Sequence, residues 1–270
     1  MAASDTQFAG SIPEIYDRLM VPLIFEPYAR DVAERVQALN PQSVLEIAAG
    51  TGVVTRTMAA SLPAATRIVV TDLNQPMLDY NEARLTGDAR LTWRQADAQS
   101  LPFEAGSFDV VVCQFGAMFF PDKVRAYGET RRVLKPGGRY IFNVWDKITE
   151  NDFADEIMKA LALYFPADPP RFMARTPHGY YEPQPIRDAL SAAGFTDIAI
   201  DVVNAVSPAA TPLDAAIAYC QGTPWRNEIE ARDASRLEDA TNHAAAALER
   251  RFGRGPIEGR IRALVITATA

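Results

Sequence analysis

Two glycines and one acidic residue occupy the positions from which a strand–helix–strand unit could contact a nucleoside. The apolar run 44–47 is typical of a buried parallel strand and ends in a loop with Gly50 and Gly52. Glycines let the backbone approach a ligand closely, and the following helix offers free N–H groups. Asp72, twenty residues past Gly52, ends the second strand, where a carboxylate accepts hydrogen bonds from both ribose hydroxyls. The pattern predicts a nucleoside cofactor; plain tight turns and a helix cap at Asp72 are the alternative.

The glycine spacing bears on which nucleoside this is. A dinucleotide site uses G-x-G-x-x-G to admit a pyrophosphate, but Thr55 stands where the third glycine would be. The chain also lacks a Tyr-x-x-x-Lys pair for hydride transfer to or from an alcohol. A nicotinamide-dependent oxidoreductase is therefore kept only as an alternative function.

Short apolar runs alternate with helical repeats as far as Trp145. This βαβα order predicts a parallel sheet covered by helices on both faces. The predicted strands are 44–47, 68–70, 91–96, 109–113 and 140–145, and the helices are 27–39, 54–62, one opened by Asn74 and Pro76, and 124–134, followed by a turn at 135–138.

The alternation loosens after Trp145. A capping box, Ser235-x-x-Glu238, is predicted to open one of the later helices. The expected elements are helices near 151–164 and 186–193, a strand at 198–203, a helical stretch over 207–257 and a last strand at 263–269.

Composition and charge exclude several classes. Hydrophobic residues make up 48% and charged residues 23%, as in ordinary globular proteins. The net charge of −7 argues against nucleic acid and anionic membranes as partners. Two cysteines, Cys113 and Cys220, cannot form a disulfide framework. Because the chain has neither a signal peptide nor a run of about 18 apolar residues, we expect a cytoplasmic protein. The acidic residues and histidines show no metal-ligand spacing, so we expect no metal.

Several motifs, in order, carry a resemblance to a known family. They are an acid–Gly–Gly loop with Glu46, an acid after the second strand in TDLNQPML, the pair Asp97-Ala98 in QADAQSLPF, and FDVVVCQFGAMFF followed by RVLKPGGRY. Over residues 40–145 the chain resembles the class I S-adenosylmethionine-dependent methyltransferases. Its flanks, SIPEIYDR, VPLIFEPYA and YCQGTP, are similar to a bacterial group related to the ubiquinone/menaquinone methyltransferases.

The resemblance implies a Rossmann-like α/β fold with a mostly parallel seven-stranded sheet, helices on both faces and a helical lid. We expect a single domain over 1–270. Its cofactor-binding core spans about 40–146, and its lid segments span about 12–26, 147–183 and 207–257.

The resemblance also assigns the amino-acid end of S-adenosylmethionine. Glu46 and the backbone of Ala48 to Gly52 would hold that end, although Ala48 replaces the family's usual first glycine. Gln114 would open the loop under the sulfonium, and Tyr16 would close over the methionine carboxylate. No Asn-Pro-Pro-Tyr motif of nucleic-acid base methyltransferases follows the fourth strand.

The nucleoside end falls on later residues in the same way. Asp72 would hold the ribose, Leu73 and Met77 would lie against the adenine, and Asp97 would accept from the adenine amino group beside Ala98. Ordinary core packing of Met77 and a turn cap at Asp97 are the alternatives.

Methyl transfer from a sulfonium asks mainly for alignment, and a base helps only where the acceptor is protonated. The chain has two histidines. We expect His243 on a helix surface, whereas His178, in the loop after the fifth strand, is the candidate catalytic residue. A packed or solvent-facing loop histidine is the alternative.

The lid segments are rich in large apolar side chains, which indicates an enclosed pocket for a small organic methyl acceptor. We expect a monomer or homodimer, and a non-catalytic cofactor-binding protein stays open as a third function. The side chains concerned are Phe25, Phe153, Phe172, Met173, Tyr180, Tyr181, Tyr219 and Trp225.

Overall fold

A computed structural model describes residues 12–270; the amino-terminal residues 1–11 lie outside the described part of the chain. The chain forms two compact units. The first contains the described residues up to Glu26, with Trp145–Tyr180 and Asn204–Ala263. The second contains Pro27–Val144, Tyr181–Val203 and Leu264–Ala270. The expectation of a single domain stays a prediction.

Seven strands form one sheet. They are β1 (Ser43–Glu46), β2 (Arg67–Asp72), β3 (Leu91–Gln95), β4 (Phe108–Gln114), β5 (Leu134–Trp145), β6 (Thr196–Ala209) and β7 (Ile257–Thr269).

The strand order is β3-β2-β1-β4-β5-β7-β6, and the pairs among β1 to β5 are parallel. Gly137 bonds to Ala270 while Asp146 bonds to Arg262, so β7 runs opposite to β5. The predicted Rossmann-like, mostly parallel seven-stranded sheet is confirmed.

Eleven α-helices lie within residues 12–270. They are α1 (Ile12–Ile15), α2 (Glu26–Ala38), α3 (Val53–Ser61), α4 (Gln75–Arg84), α5 (Lys123–Val133), α6 (Asp152–Tyr164), α7 (Phe172–Arg175), α8 (Pro183–Ala192), α9 (Pro212–Gln221), α10 (Trp225–Asp233) and α11 (Leu237–Phe252). None of these helices is long and apolar enough to cross a membrane.

Helices cover both faces of the sheet in the second unit. On one face α2 and α3 bury Val36 and Met58 against strand residues that include Ile141 of β5. The neighbouring Phe142 packs against Tyr127 of α5, with ring centroids 5.5 Å apart. Because successive strand residues point to opposite faces, α5 covers the other side.

The turn predicted at 135–138 lies inside β5 instead of before it. Phe108 of β4 pairs with Leu134, but Val110 pairs with Arg139, so β5 carries extra residues at this point. A strong local turn signal has become a bulge because the strand pairs with β4 on both sides of it. The predicted strand at 198–203 is longer too, and its end takes up residues 207–209 that were expected to be helical.

The predicted capping box is wrong. Asp233 Oδ1 accepts the N–H of Ser235 at 3.0 Å and its hydroxyl at 2.6 Å, so Ser235 is already paired. The helix α11 begins at Leu237, and its N-cap residue Arg236 makes no side-chain cap. Asp233 binds the serine that the capping box needs, and the Ser-x-x-Glu spacing alone does not show this competing local hydrogen bond.

In the first unit, α11 packs against α6 and α9. A π-helix, Tyr16–Phe25, joins α1 to α2 and packs on α9. The N–H of Glu26 bonds to Val21 O, five residues back. The sequence analysis did not predict this helix, since its apolar residues do not follow the 3.6-residue period.

Candidate functional site

The predicted cofactor residues of the second unit lie at the carboxyl ends of adjacent strands. Glu46 ends β1 and pairs with Val70, and Asp72 ends β2 and pairs with Gln95. Because these strands are parallel, their ends meet at one sheet edge. Ala96, which follows β3, donates its N–H to Asp72 O at 3.0 Å.

The loop after β1 is built from left-handed residues. The φ angles are +56° at Gly50 and +87° at Gly52. A Cβ on Gly52 would lie 2.0 Å from Asn81 Oδ1, whereas a Cβ on Gly50 would have no atom within 4 Å. Gly52 is therefore required for packing on α4, and Gly50 leaves open space beside the loop.

Ala48 also adopts a left-handed conformation, with φ at +54°. This backbone suits the glycine that the family usually has there. The Ala48 methyl group approaches Gly116, where a Cβ would come within 2.5 Å of it. Ala48 is thus accommodated because residue 116 has no side chain, a pairing that the sequence analysis missed.

Asp72 fastens this loop to β2. Its Oδ2 accepts the Gly50 N–H at 2.8 Å, and its Oδ1 accepts the Asn74 N–H at 2.7 Å. Burial raises the pKa of this carboxyl, and the two backbone hydrogen bonds oppose the rise. Oδ1 also accepts the side-chain amide of Asn74 at 3.5 Å. Because each carboxylate oxygen accepts about two hydrogen bonds, Oδ2 retains capacity for a ligand while Asp72 serves the loop and the start of α4.

Glu46 lies beneath the loop, 1% exposed. Its Oε2 accepts the Thr55 hydroxyl at 2.6 Å, and Thr55 Oγ1 accepts Asn81 Nδ2 at 3.0 Å. Burial raises the pKa of Glu46 to about 8, and the charge of Asp72 adds to the rise. Glu46 is thus mainly a neutral acid at pH 7. Thr55 and Asn81 were missed, since no local signal places them under the loop.

The expected adenine side follows β2 and β3. Leu73 is 51% exposed and Met77 is 3% exposed. Asp97 is exposed and its Oδ1 accepts the Gln99 N–H at 2.8 Å, next to the buried Ala98. This contact is the turn cap named as the alternative, and Oδ2 accepts the side-chain amide of Gln99 at 3.4 Å. The roles of these residues stay predictions.

Gln114 is the last residue of β4, next to β1 in the sheet. Phe115 follows in a left-handed conformation and donates its N–H to Asn143 Oδ1 at 2.8 Å. The fully buried Asn143 of β5 therefore sets the path of the chain after Gln114. The sequence analysis missed Asn143 because it lies inside an apolar strand.

The other two predicted residues belong to the first unit, and a row of rings joins them. Tyr16 stacks on Phe25 with centroids 5.1 Å apart, and Phe25 lies 5.9 Å from Trp145. The ring of Trp145 lies 5.9 Å from that of His178. His178 is 4% exposed, so it is the packed histidine named as the alternative; whether it also meets substrate is untested.

His243 is not the surface residue that we expected. Its ring packs on Tyr164 with centroids 5.3 Å apart, and its Nε2 is buried. This contact was not predictable from the Ala-rich sequence around His243, because Tyr164 is distant in sequence. Cys113 and Cys220 are both free and buried.

Exchanging Gly52 for alanine is expected to destabilise the protein by about 2 kcal/mol or more, because the new methyl group must displace Asn81 and a left-handed backbone disfavours it. Gly50→Ala is the matched control. It has the left-handed backbone without the clash, so its cost should stay near 1 kcal/mol. Chemical denaturation of both variants measures the difference, and equal costs would refute the packing role of Gly52.

Residues 45–142 match the family described as Methyltransferase domain. Over these residues the chain is similar to a methyltransferase domain, and the resemblance predicted from the sequence is confirmed. A demethylmenaquinone methyltransferase of Lactococcus lactis is 32% identical over 137 residues, 49% of this chain and 54% of that protein. The chain thus spans about half the length of this relative.

Solved structures share the fold. The YcgJ protein of Bacillus subtilis superposes with a TM-score of 0.56 at 21% identity, covering 90% of this chain and 98% of that one. The phosphoethanolamine N-methyltransferase 2 of Haemonchus contortus, in complex with phosphomonomethylethanolamine and S-adenosylhomocysteine, has a TM-score of 0.54 at 17% identity. It covers 97% of this chain and 61% of that one.

Proposed function

We propose that this protein transfers a methyl group from S-adenosylmethionine to a small organic acceptor. The observation that carries the proposal is the bridge from the buried Asp72 carboxylate at the end of β2 to the N–H of Gly50. The Asp72 carboxylate thus lies against a glycine loop with open space beside it, which supports a role for Asp72 in binding a ribose. The matched domain and the family of the relatives support the same function.

The loop residues fit such a cofactor. Gly50 has open space where a side chain would point, and Thr51 Oγ1 is buried without a hydrogen-bond partner among residues 12–270. Gly52, at the start of α3, has no side chain to cap the first-turn N–H groups. An unpaired hydroxyl and free N–H groups suit a ligand with a carboxylate and a polar nucleoside.

In this proposal the chain's residues hold and orient the cofactor. Asp72 holds the ribose hydroxyls, and the neutral Glu46 supports the loop that receives the amino-acid end. The adenine lies by Leu73, Met77, Asp97 and Ala98, with Gln114 toward the methionine end. The role of Tyr16, in the first unit, stays a prediction. When bound, the sulfonium supplies an activated methyl group, so the protein's remaining task is to align the acceptor.

The acceptor is a small molecule in this proposal. The relative from Lactococcus lactis carries a quinone-related substrate in its name, and the net charge of −7 disfavours nucleic acid. A cytoplasmic monomer or homodimer completes the proposal.

A nicotinamide cofactor fits less well, because Thr55 occupies the position of the third glycine of a dinucleotide loop. Its hydroxyl is engaged by Glu46 at 2.6 Å. A glycine at position 55, as a dinucleotide loop has, would remove this hydroxyl and its buried hydrogen bond to Glu46.

S-adenosylhomocysteine is expected to raise the melting temperature, because a ligand that binds only the native state stabilises it by mass action. At a hundredfold excess over its dissociation constant the gain is about 2.7 kcal/mol. Thermal denaturation with S-adenosylhomocysteine, NAD or neither is the measurement. A response to NAD alone would replace the proposal with the oxidoreductase, and no response at millimolar S-adenosylhomocysteine would remove the cofactor assignment.

A further inference from the structure

A tight turn follows β3 at the carboxyl end of that strand. The N–H of Ser100 bonds to Asp97 O at 2.9 Å. Asp97 Oδ1 accepts the Gln99 N–H at 2.8 Å, so the carboxylate folds over the turn. Ala96, which precedes the turn, donates its N–H to Asp72 O at 3.0 Å. The Asp97 carboxylate is therefore held at the same sheet edge as Asp72.

The side-chain amide of Gln99 has one fixed orientation. Its Oε1 accepts the Asp122 N–H at 3.1 Å. A backbone N–H only donates hydrogen bonds, so the oxygen of the amide faces Asp122 and its nitrogen faces the other way. On that side Nε2 lies 3.4 Å from each carboxylate oxygen of Asp97. Because the amide donates toward both oxygens, it restricts rotation of the Asp97 carboxylate about its Cβ–Cγ bond.

Gln99 also joins this turn to the segment that follows β4. Its backbone oxygen accepts Arg125 Nε at 3.0 Å. Asp122, which binds the side chain of Gln99, is the N-cap residue of α5, and its Oδ1 accepts the Arg125 N–H at 2.9 Å. Gln99 is half-buried, whereas Asp97 is exposed. The start of α5 therefore anchors Gln99, and Gln99 in turn directs an exposed carboxylate.

We propose that Gln99 is a positioning residue that makes the cofactor site specific for the amino group of adenine. This inference rests on the proposed function, in which the adenine lies by Asp97. Asp97 Oδ2 accepts Gln99 Nε2 at 3.4 Å, and a carboxylate oxygen accepts about two hydrogen bonds, so Oδ2 has room for a donor of the ligand. A carboxylate that is held in place before binding loses less freedom on binding, and a purine without the amino group leaves it unpaired.

Two ligands isolate the contribution of the adenine amino group. S-adenosylhomocysteine carries this group, and the analogue in which purine replaces adenine lacks it and keeps the rest of the molecule. Calorimetric titration of the wild type with each ligand is expected to show a preference of about fivefold for S-adenosylhomocysteine, since Asp97 is exposed and water competes for its carboxylate. The ratio of the two dissociation constants is then measured for each variant.

Two variants remove the amide donor of Gln99. Gln99→Ala removes both side-chain contacts, whereas Gln99→Glu keeps an oxygen for the Asp122 N–H, and with it the link to α5, and turns a second carboxylate toward Asp97. We expect the preference to fall to about twofold or less in both variants, because groups in contact couple at this level. Gln184→Ala is the matched control. Gln184 Nε2 donates to Asp188 Oδ1 at 2.8 Å on the exposed face of α8, and its loss should leave the preference unchanged.

Two outcomes overturn the proposal. If Gln99 only supports the two loops, its variants bind both ligands more weakly by the same factor, and the preference stays at the wild-type value or above it. A wild type that binds both ligands equally well shows that Asp97 does not accept from the amino group. In that second case a retained melting-temperature rise with S-adenosylhomocysteine leaves the proposed function standing. The absence of that rise counts against the function itself.

Discussion

Replacing Asp72 with alanine is expected to weaken the binding of S-adenosylhomocysteine at least tenfold. A carboxylate that faces two ribose hydroxyls makes charge-assisted hydrogen bonds, each worth roughly 1.5–3 kcal/mol. A loss of about 1.4 kcal/mol corresponds to a factor of ten in the dissociation constant. Calorimetric titration of the wild type and Asp72→Ala with S-adenosylhomocysteine measures the change.

The structure adds a stability cost to this variant. Asp72 also accepts N–H groups of Gly50 and Asn74, so its removal leaves the loop and the start of α4 without two partners. Asp72→Asn is the informative companion, because it keeps one oxygen for these N–H groups and removes the charge. Asp79→Ala, on the exposed face of α4, should change neither property.

Melting curves without ligand separate the two functions of Asp72. If Asp72 serves only the loop and α4, both variants melt earlier and bind S-adenosylhomocysteine like the wild type. That result would reduce Asp72 to a structural residue.

The strands and helices that position the site were predictable from the sequence. Apolar runs and helical repeats are local patterns, and they located β1 to β4 and α2 to α5 to within a few residues. The start of β5 was missed, because the turn signal at 135–138 lies inside that strand. The position of Asp72 followed because a strand end and a glycine loop are both local signals.

The contacts that shape the site were not predictable, because each joins residues far apart in sequence. Asn81 packs on Gly52 and reaches Glu46 through Thr55. Ala48 depends on the missing side chain of Gly116. None of these pairs has a spacing rule, since the partners meet only when the sheet has formed.

The same limit applies to the protonation states at these positions. The packed state of His178 and the neutral state of Glu46 both follow from burial, which a single sequence does not give at a strand end or in a loop. Burial disfavours the charged form of each side chain. It therefore raises the pKa of the acid Glu46 and lowers the pKa of the base His178.

Glu46→Gln is expected to remove a loss of stability that the wild type suffers as the pH rises. In the folded protein the pKa of Glu46 is raised to about 8 from its ordinary 4.5. An acid whose pKa is raised on folding stabilises the protein fully below its unfolded pKa, and this contribution is lost as the pH rises through the folded pKa. Between pH 6 and pH 9 the wild type should therefore lose about 2–3 kcal/mol relative to the variant.

Denaturant unfolding of the wild type and Glu46→Gln at pH 6, 7, 8 and 9 tests this, with glutamine keeping an oxygen for the Thr55 hydroxyl. His178→Gln is the control of opposite sign. The pKa of His178 falls on folding to about 4 from 6.5, so the wild type should lose stability relative to that variant only as the pH drops below about 6.5, by about 2 kcal/mol at pH 5. A wild type and a Glu46→Gln variant that keep a constant difference from pH 6 to pH 9 would mean that Glu46 is ionised in the folded protein, and that the loop after β1 rests on a charge instead of a neutral acid.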